Sequence, residues 1–247
     1  MFVTASSRCF ADKGFPEACR LITDLEYDKV ELWLDENSDH LKPSQIGNDP
    51  DGFYARFREV TRLTPVAIFL ENDVDLVTMA GLSKLAKLMR ITQITIPSSP
   101  LGTPFNAEID RLHAYLKITN QDGVRLSIKT KSGQLTEDAH TAVELCQAVP
   151  GLGLTLDPSY YICGPNRSVS YDQIFPFVFH LHLRDTTSEQ VQVQIGLGEL
   201  DYARLISQLR REHYDRALSV DLSPSLLSDT SRPLEMRKMR MLLETLL

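Results

Sequence analysis

The sequence lacks any long apolar run. No stretch approaches the roughly 20 apolar residues that a membrane-spanning helix needs. The first ten residues, MFVTASSRCF, also lack the basic-then-apolar pattern of a signal peptide. We therefore expect a cytoplasmic protein without a membrane partner.

Cysteine and positive charge are both scarce. The four cysteines, at positions 9, 19, 146 and 163, form no C-x-x-C pair, which favours reduced and mostly buried thiols over disulfides or a zinc site. The chain has 26 Lys and Arg against 33 Asp and Glu, a formal net charge of −7. This balance argues against a partner with a phosphate backbone, so we expect no nucleic acid partner.

Short apolar runs alternate with amphipathic helical patterns along all 247 residues, without a linker, repeat or low-complexity segment. The predicted strands are 2–4, 29–34, 65–70, 91–96, 124–128, 152–156, 179–183 and 217–222. The predicted helices are 16–25, 51–61, 75–90, 105–119, 136–148, a short one at 171–177, 201–212 and 233–247. The simplest arrangement is a single (β/α)8 TIM barrel domain over residues 1–247. An open doubly wound sheet is the alternative, but no G-x-G-x-x-G follows an early strand to support it.

One strand–helix–strand unit, residues 123–164, carries charged residues where its strands end. The first strand stops at Lys129 and the second runs into Asp157-Pro158. In α/β folds the chemistry lies at the carboxyl ends of parallel strands. The sequence therefore predicts that Lys129 and Asp157 face each other across one site.

Several motifs occur in a characteristic order along nearly the whole chain. They are K-V-E-L in the second strand, G-V-x-L-x-I-x-T-x-x-G-x-L-T from Gly123, G-L-T-L-D-P-S, H-L-H-L-R-D, G-L-G-E-L-D-Y, and A-L-S-V before an acid. In this order they resemble the xylose-isomerase-like TIM barrels, also called the sugar phosphate isomerase/epimerase family, which are related to endonuclease IV. The resemblance implies a barrel with its site at the carboxyl face.

The resemblance also implies a set of metal ligands. Family members hold a divalent metal with a Glu, an Asp, a His and a Glu from strands five to eight. The Asp matches Asp157 and the His matches His182, whereas the last Glu falls on the shorter Asp221. The first Glu falls on Lys129, which is the departure that matters.

A protonated lysine cannot ligate a metal, because an ammonium has only donors and carries a positive charge. Our hypothesis is that Lys129 takes the place of the metal, pairs with Asp157 and Asp221, and hydrogen-bonds neutral His182. The site is then metal-free or binds Mn, Mg or Zn weakly, with Asp157, His182 and Asp221 as the ligands of any such ion. The alternatives without a functional role are that Lys129 extends into solvent and that Asp157 only forms a turn.

Further residues are candidates for binding substrate. Two family histidines fall on Lys131 and Tyr160, and Tyr160 could offer an aromatic wall to a sugar or simply pack in its loop. Glu31 is a candidate for substrate binding or for an ion pair inside the barrel. His182 and Arg184 complete the set, although Arg184 beside Asp185 more often forms a structural pair.

Two patterns stay open. His180 and His182 alternate with apolar residues on one strand, so both side chains point to the same side. The family resemblance implies that this side is the barrel interior; without it, the pattern indicates histidines that are hydrogen-bonded within the core. Gly196 and Gly198 could bring backbone amides to a phosphate, although a lone G-x-G is more typical of a tight turn.

Three functions compete. The first is isomerisation or epimerisation of a sugar or sugar phosphate, with Lys129 as electrophile and Asp157 or Asp221 as base. The second is a non-catalytic member of the family that binds a sugar-like ligand or a partner protein. The third, a nuclease or lyase like endonuclease IV, is disfavoured by six scattered histidines and the negative charge. Related barrels often form dimers, so a homodimer is compatible with the resemblance.

Overall fold

Eight parallel strands form one closed barrel in the computed structural model, which describes residues 1–247. They are β1 (Phe2–Ser6), β2 (Lys29–Leu34), β3 (Thr64–Leu70), β4 (Gln93–Pro97), β5 (Arg125–Lys129), β6 (Leu152–Leu156), β7 (Val178–Leu183) and β8 (Ala217–Val220). Each strand pairs with the next one along the chain, and β1 closes the barrel against β8. The predicted (β/α)8 TIM barrel is confirmed, and the open doubly wound alternative is excluded.

Helices lie between the strands on the outside of the barrel. They are α1 (Phe15–Asp24), α2 (Pro43–Asn48), α3 (Pro50–Val60), α4 (Leu76–Met89), α5 (Phe105–Gln121), α6 (Ala139–Ala148), α7 (Ser159–Ile162), α8 (Tyr202–Arg211) and α9 (Arg232–Leu246). Short 3-10 helices occur at Ser7–Phe10, Leu135–Glu137, Asp172–Phe177 and Pro224–Leu226, and the third of these is the short helix predicted at 171–177. None of the helices has the length and apolar character required to cross a bilayer.

Aspartate side chains fix where four helices begin. Asp49, Asp75, Asp138 and Asp201 accept a hydrogen bond from the backbone N–H three residues later, at the starts of α3, α4, α6 and α8. Such a cap contributes about 1 kcal/mol to helix stability. The cap at Asp138 explains why α6 begins at Ala139 rather than at the predicted residue 136. The short helices α2 and α7 were not predicted.

The apolar core fills the space between barrel and helices. A cluster of 61 buried residues runs around the whole barrel. On β5 the outward residues Leu126 and Ile128 belong to this cluster and are fully buried. The alternation of side chains along a strand then sends Ser127 and Lys129 to the barrel interior.

The barrel interior is polar at mid-height. Ser127 Oγ and Thr155 Oγ1 lie 2.6 Å apart, and Thr155 Oγ1 lies 2.7 Å from Thr95 Oγ1. Gln93 Nε2 donates to Ser127 Oγ at 2.6 Å. These side chains come from β4, β5 and β6, so hydrogen bonds rather than aliphatic packing link the strands here. The polar interior leads up to the carboxyl ends of the strands, where the charged residues collect.

Candidate functional site

Three charged side chains from β5, β6 and β8 meet at the carboxyl end of the barrel. Lys129 is the last residue of β5, and Asp157 and Asp221 follow β6 and β8 directly. Lys129 Nζ lies 3.0 Å from Asp221 Oδ2 and 3.6 Å from Asp157 Oδ2. All three are buried, with Lys129 only 3% exposed and both aspartates at 0%. The two residues that the sequence placed opposite each other, Lys129 and Asp157, lie together, and Lys129 does not extend into solvent.

Two arginines bind the same carboxylates. Arg184, which follows β7, donates from Nη2 to Asp157 Oδ2 and is itself 3% exposed. Arg8, in the 3-10 turn after β1, places Nη1 3.3 Å from Asp221 Oδ2. Each aspartate is therefore paired with Lys129 and with one arginine.

These cations control the ionisation of both aspartates. Burial alone would raise the pKa of Asp157, but Arg184 and Lys129 hold the pKa below its ordinary value. For Asp221, burial is again opposed, by Lys129 and Arg8 first, and the pKa lies well below the ordinary value. Both side chains are carboxylates at neutral pH, and both are weak bases.

A second cluster lies one layer deeper in the barrel. The Nε2 atoms of His182 and His180 lie 2.8 and 3.1 Å from the same oxygen, Glu31 Oε1, and Ser219 donates its hydroxyl to Oε2. Burial would raise the pKa of Glu31, but the two histidines hold it below the ordinary value. Because an ionised carboxylate only accepts hydrogen bonds, each Nε2 carries a proton. Glu31 is 0% exposed and its oxygens are engaged, so it lies inside the barrel rather than at the mouth.

His182 connects the two clusters. Its Nδ1 lies 3.4 Å from Asp221 Oδ2 and has no hydrogen-bond partner. Burial lowers the pKa of His182, so the ring is neutral and Nδ1 presents a lone pair. The prediction that Lys129 hydrogen-bonds His182 is wrong, because Lys129 Nζ points to the two aspartates. Its ammonium instead lies over the Phe69 ring, 4.4 Å from the centroid.

The two carboxylates of a candidate metal-binding group at the mouth are already paired with side-chain cations. Ligand atoms of Asp157, His182 and Asp221 lie within 4.8 Å of one another, as a metal site requires. However, Lys129, Arg184 and Arg8 already neutralise the two carboxylates. A cation placed there would lie against an ammonium in a dry environment, where the repulsion is strong. Glu31, His180 and His182 form another compact group, but their mutual hydrogen bonds engage the same atoms.

A half-exposed layer of charge covers the buried one. Glu71, which follows β3, accepts from Trp33 Nε1 at 2.9 Å and lies 3.2 Å from Lys131 Nζ and 3.6 Å from Arg8 Nε. The side chains of Glu71 and Lys131 are 20% and 34% exposed. Tyr160 is also partly exposed and stacks its ring under the Arg184 guanidinium at 5.2 Å. These residues are partly exposed members of the charged site.

The loops after β6 and β7 show contacts that the sequence did not determine. Arg184 and Asp185 do not pair with each other, because Arg184 turns to Asp157 while Asp185 turns to the loop after β7. Tyr161 packs in its loop, where it is 3% exposed and donates its hydroxyl to Thr136 O at 2.8 Å. The G-x-G sequence forms a tight turn, with Gly196 at φ 93°.

Arg8, Glu71 and Phe69 are site residues that the sequence reasoning missed. Arg8 follows β1, and Glu71 follows β3 one residue after Leu70, so both obey the rule that strand ends supply the site. The position of Arg8 and Glu71 after strand ends was the sequence feature that could have identified them. The catalytic, substrate-binding and metal roles assigned from the sequence remain predictions.

The comparisons with known proteins agree on the fold. The family profile of the xylose isomerase-like TIM barrel matches residues 75–243. A search of curated proteins gave no significant match.

Solved structures similar to this chain include a xylose isomerase-like TIM barrel protein from Mycobacterium smegmatis in complex with magnesium (TM-score 0.76, 16% identity, 99% of this chain and 97% of that one). A probable 3-DHS dehydratase, AsbF from Bacillus anthracis, gives a TM-score of 0.73 at 14% identity, with 99% of each chain covered. A D-psicose 3-epimerase with D-tagatose, from Clostridium cellulolyticum H10, gives 0.73 at 11% identity over 100% of this chain and 99% of that one. At such identities the likeness concerns the fold.

Proposed function

The chain belongs to the xylose isomerase-like TIM barrel family, and we propose that it is a sugar or sugar-phosphate isomerase/epimerase-like protein that works without a divalent metal. One observation carries the proposal. The ammonium of Lys129 lies 3.0 and 3.6 Å from the two aspartates that close β8 and β6. It supplies a fixed positive charge at the point where the family resemblance places a metal.

The chemistry follows from what such a reaction requires. Isomerisation or epimerisation next to a carbonyl removes a proton from carbon and develops negative charge on oxygen. A positioned cation in a dry site stabilises that charge. In this proposal Lys129 donates to the developing oxyanion, and Asp157 or Asp221 accepts the proton. A ligand hydroxyl or carbonyl would take over one of the hydrogen bonds that Lys129 now gives to an aspartate.

Ligand entry involves the half-exposed layer. Glu71 and Lys131 are partly exposed and pair with each other, and the partly exposed Tyr160 lies against Arg184. Glu71 offers acceptors, Lys131 offers donors, and an aromatic ring suits the apolar face of a sugar. The M. smegmatis barrel was crystallised in complex with magnesium, whereas here we propose that Lys129 makes such an ion unnecessary.

A second candidate is a non-catalytic barrel that binds the same kind of ligand. It is favoured by the ionisation of the two aspartates, whose pKa values lie below the ordinary value because each is paired with an arginine and Lys129. A general base works best with a pKa near the working pH. A barrel with such weak bases can retain binding and lose turnover.

One experiment separates these functions. Protein purified without chelator is analysed for metals, treated with EDTA, and screened by thermal shift against hexoses, pentoses, inositols and their phosphates. Any hit is then incubated in D2O and followed by proton NMR. If the metal-free protein binds a sugar and catalyses incorporation of solvent deuterium into it, the isomerase proposal is supported. Binding without deuterium incorporation supports the non-catalytic candidate. One tightly held divalent ion per chain, or binding abolished by EDTA, refutes the proposed metal independence.

A further inference from the structure

A cavity of about 440 Å³ lies between the helices α1, α2 and α3, outside the charged site at the barrel mouth. Phe15 of α1, Ile46 of α2, and Phe53 and Phe57 of α3 contribute apolar side chains to its wall. No residue of the charged site lines it. Cavities that bind small molecules have volumes of roughly 300–1,000 Å³. This cavity is therefore large enough to hold a small ligand of its own.

Three phenylalanine rings form the apolar side of the cavity. The Phe15 ring centroid lies 6.2 Å from that of Phe53 and 6.0 Å from that of Phe57, and the last two lie 6.3 Å apart. These separations are typical of packed aromatic pairs. All three side chains are buried, so their neighbours hold the rings in place. A wall made of fixed rings suits a flat apolar occupant.

His40 is the residue of this wall whose hydrogen bonding is incomplete. It is 5% exposed, its Nδ1 lies 3.0 Å from Lys13 O, and its Nε2 has no hydrogen-bond partner in the protein. Because a carbonyl oxygen only accepts hydrogen bonds, Nδ1 carries the proton. Burial lowers the pKa of His40, so the ring is neutral and Nε2 presents a lone pair.

The orientation of the ring turns this lone pair away from Lys13. The two nitrogens of an imidazole lie on different edges of the ring, and Nδ1 is the one that faces Lys13 O. Lys13 is not part of the cavity wall, whereas His40 is, and the Phe15 ring packs against His40 at 5.6 Å and 83°. A buried acceptor without a partner costs folding free energy. A ligand that brings a donor to Nε2 would recover that cost.

The charged residues of the wall already have partners. Arg56 Nη1 lies 3.4 Å from Asp49 Oδ2, and Lys42 Nζ lies 3.9 Å from Asp39 Oδ1. Each cation at the cavity thus faces an acid of the protein. A neutral ligand therefore fits the cavity better than an ion.

We propose that this cavity binds a neutral, flat, apolar molecule with one hydroxyl or N–H group, such as a phenol or an indole, whose donor bonds His40 Nε2. The three phenylalanine rings hold the apolar body of the ligand. The site is separate from the charged mouth, so the proposal does not depend on the reaction proposed there.

Matched pairs of probes test the hydrogen bond by calorimetry. Phenol and indole carry the donor, while anisole and N-methylindole keep the ring and lack it. The net contribution of one hydrogen bond corresponds to a preference of about two- to tenfold, so phenol and indole should bind more tightly by this factor. His40→Phe keeps a ring and removes the lone pair. In this variant the preference should disappear while the apolar part of the binding remains.

Two valine variants test the location. Val60 lines the cavity and Val77 does not, and both are exposed. Val60→Trp should fill the cavity and block phenol binding, whereas Val77→Trp should bind phenol as the wild type does.

Proton–nitrogen NMR of the histidine side chains supplies a direct readout. Phenol should shift the Nε2 resonance of His40, and anisole should leave it in place. Equal binding of phenol and anisole with an unchanged Nε2 resonance, as expected if an ordered water already satisfies this atom, would overturn the proposal. Equal binding of phenol to Val60→Trp and Val77→Trp, or failure of all four probes to bind the wild type, would also overturn it.

Discussion

Replacing Lys129 by methionine tests the central feature of the site. At an effective dielectric of about 20, the separations of 3.0 and 3.6 Å correspond to Coulomb attractions of about 5.5 and 4.6 kcal/mol. Much of this offsets the cost of desolvating three charges, and breaking one partner out of a buried pair costs about 3–5 kcal/mol. Arg8 and Arg184 remain on the aspartates, so we expect the lower value, about 3 kcal/mol.

For a chain of this size, a loss of about 3 kcal/mol lowers Tm by roughly 6–12 °C. Differential scanning calorimetry and urea unfolding at neutral pH measure the change. Lys87→Met is the matched control, because Lys87 lies 3.1 Å from Asp122 on the surface, where a pair contributes about 0–1 kcal/mol. Equal stability of the two variants would refute the view that the Lys129 ammonium holds the aspartates together.

Lys129→Glu extends the same test to metal binding. Without metal this variant places a third carboxylate beside Asp157 and Asp221 and should be less stable than Lys129→Met. Added Mn2+ should raise the Tm of Lys129→Glu more than that of Lys129→Met, because methionine at this position supplies no carboxylate ligand. If added Mn2+ does not change the Tm of Lys129→Glu, position 129 is not the metal-ligand position that the family resemblance implies.

Three further predictions concern acid, the deep cluster and the thiols. The pKa values of Asp157 and Asp221 are depressed in the folded protein. The two aspartates therefore contribute their full stabilisation above the ordinary Asp pKa of about 3.9, and this contribution is lost as the pH falls through their pKa values in the folded protein. Circular dichroism should show that Lys129→Met unfolds at a higher pH than the wild type. Glu31→Gln puts an amide donor among three donors and should cost about 1–3 kcal/mol in urea unfolding, while the exposed Glu59→Gln should have almost no effect. Burial raises the pKa of three of the four cysteines to about 12, so an aromatic disulfide reagent should titrate one thiol, Cys163, in native protein and four in denaturant; two or more fast native thiols would contradict the packing.

The barrel was predictable because its two periodicities are clear in the sequence. Strands β2 and β6 match the predicted bounds, and the other strands differ by one or two residues at one or both ends. The helices with wide apolar faces were also found. The short α2 and α7 were missed, since helices of six and four residues have too few turns to show a period. Their stability comes from tertiary packing.

The site was predictable only in part. The resemblance identified Lys129, Asp157, His182 and Asp221, and the structure brings all four together. It could not give the direction in which Lys129 Nζ points, because that depends on which neighbours remain unpaired after the barrel closes. Arg8 lies 213 residues from Asp221 in sequence, and no local pattern relates the two.

The bond between Trp33 and Glu71 has a spectroscopic consequence. The sequence contains one tryptophan, so the indole emission of the whole protein comes from a side chain that is 6% exposed at the barrel mouth. Its Nε1 donates to a carboxylate that also faces Lys131 and Arg8. Any molecule that draws Glu71 away changes the electric field along the indole and hence its emission wavelength. The protein thus carries a label-free optical reporter at the entrance of the barrel.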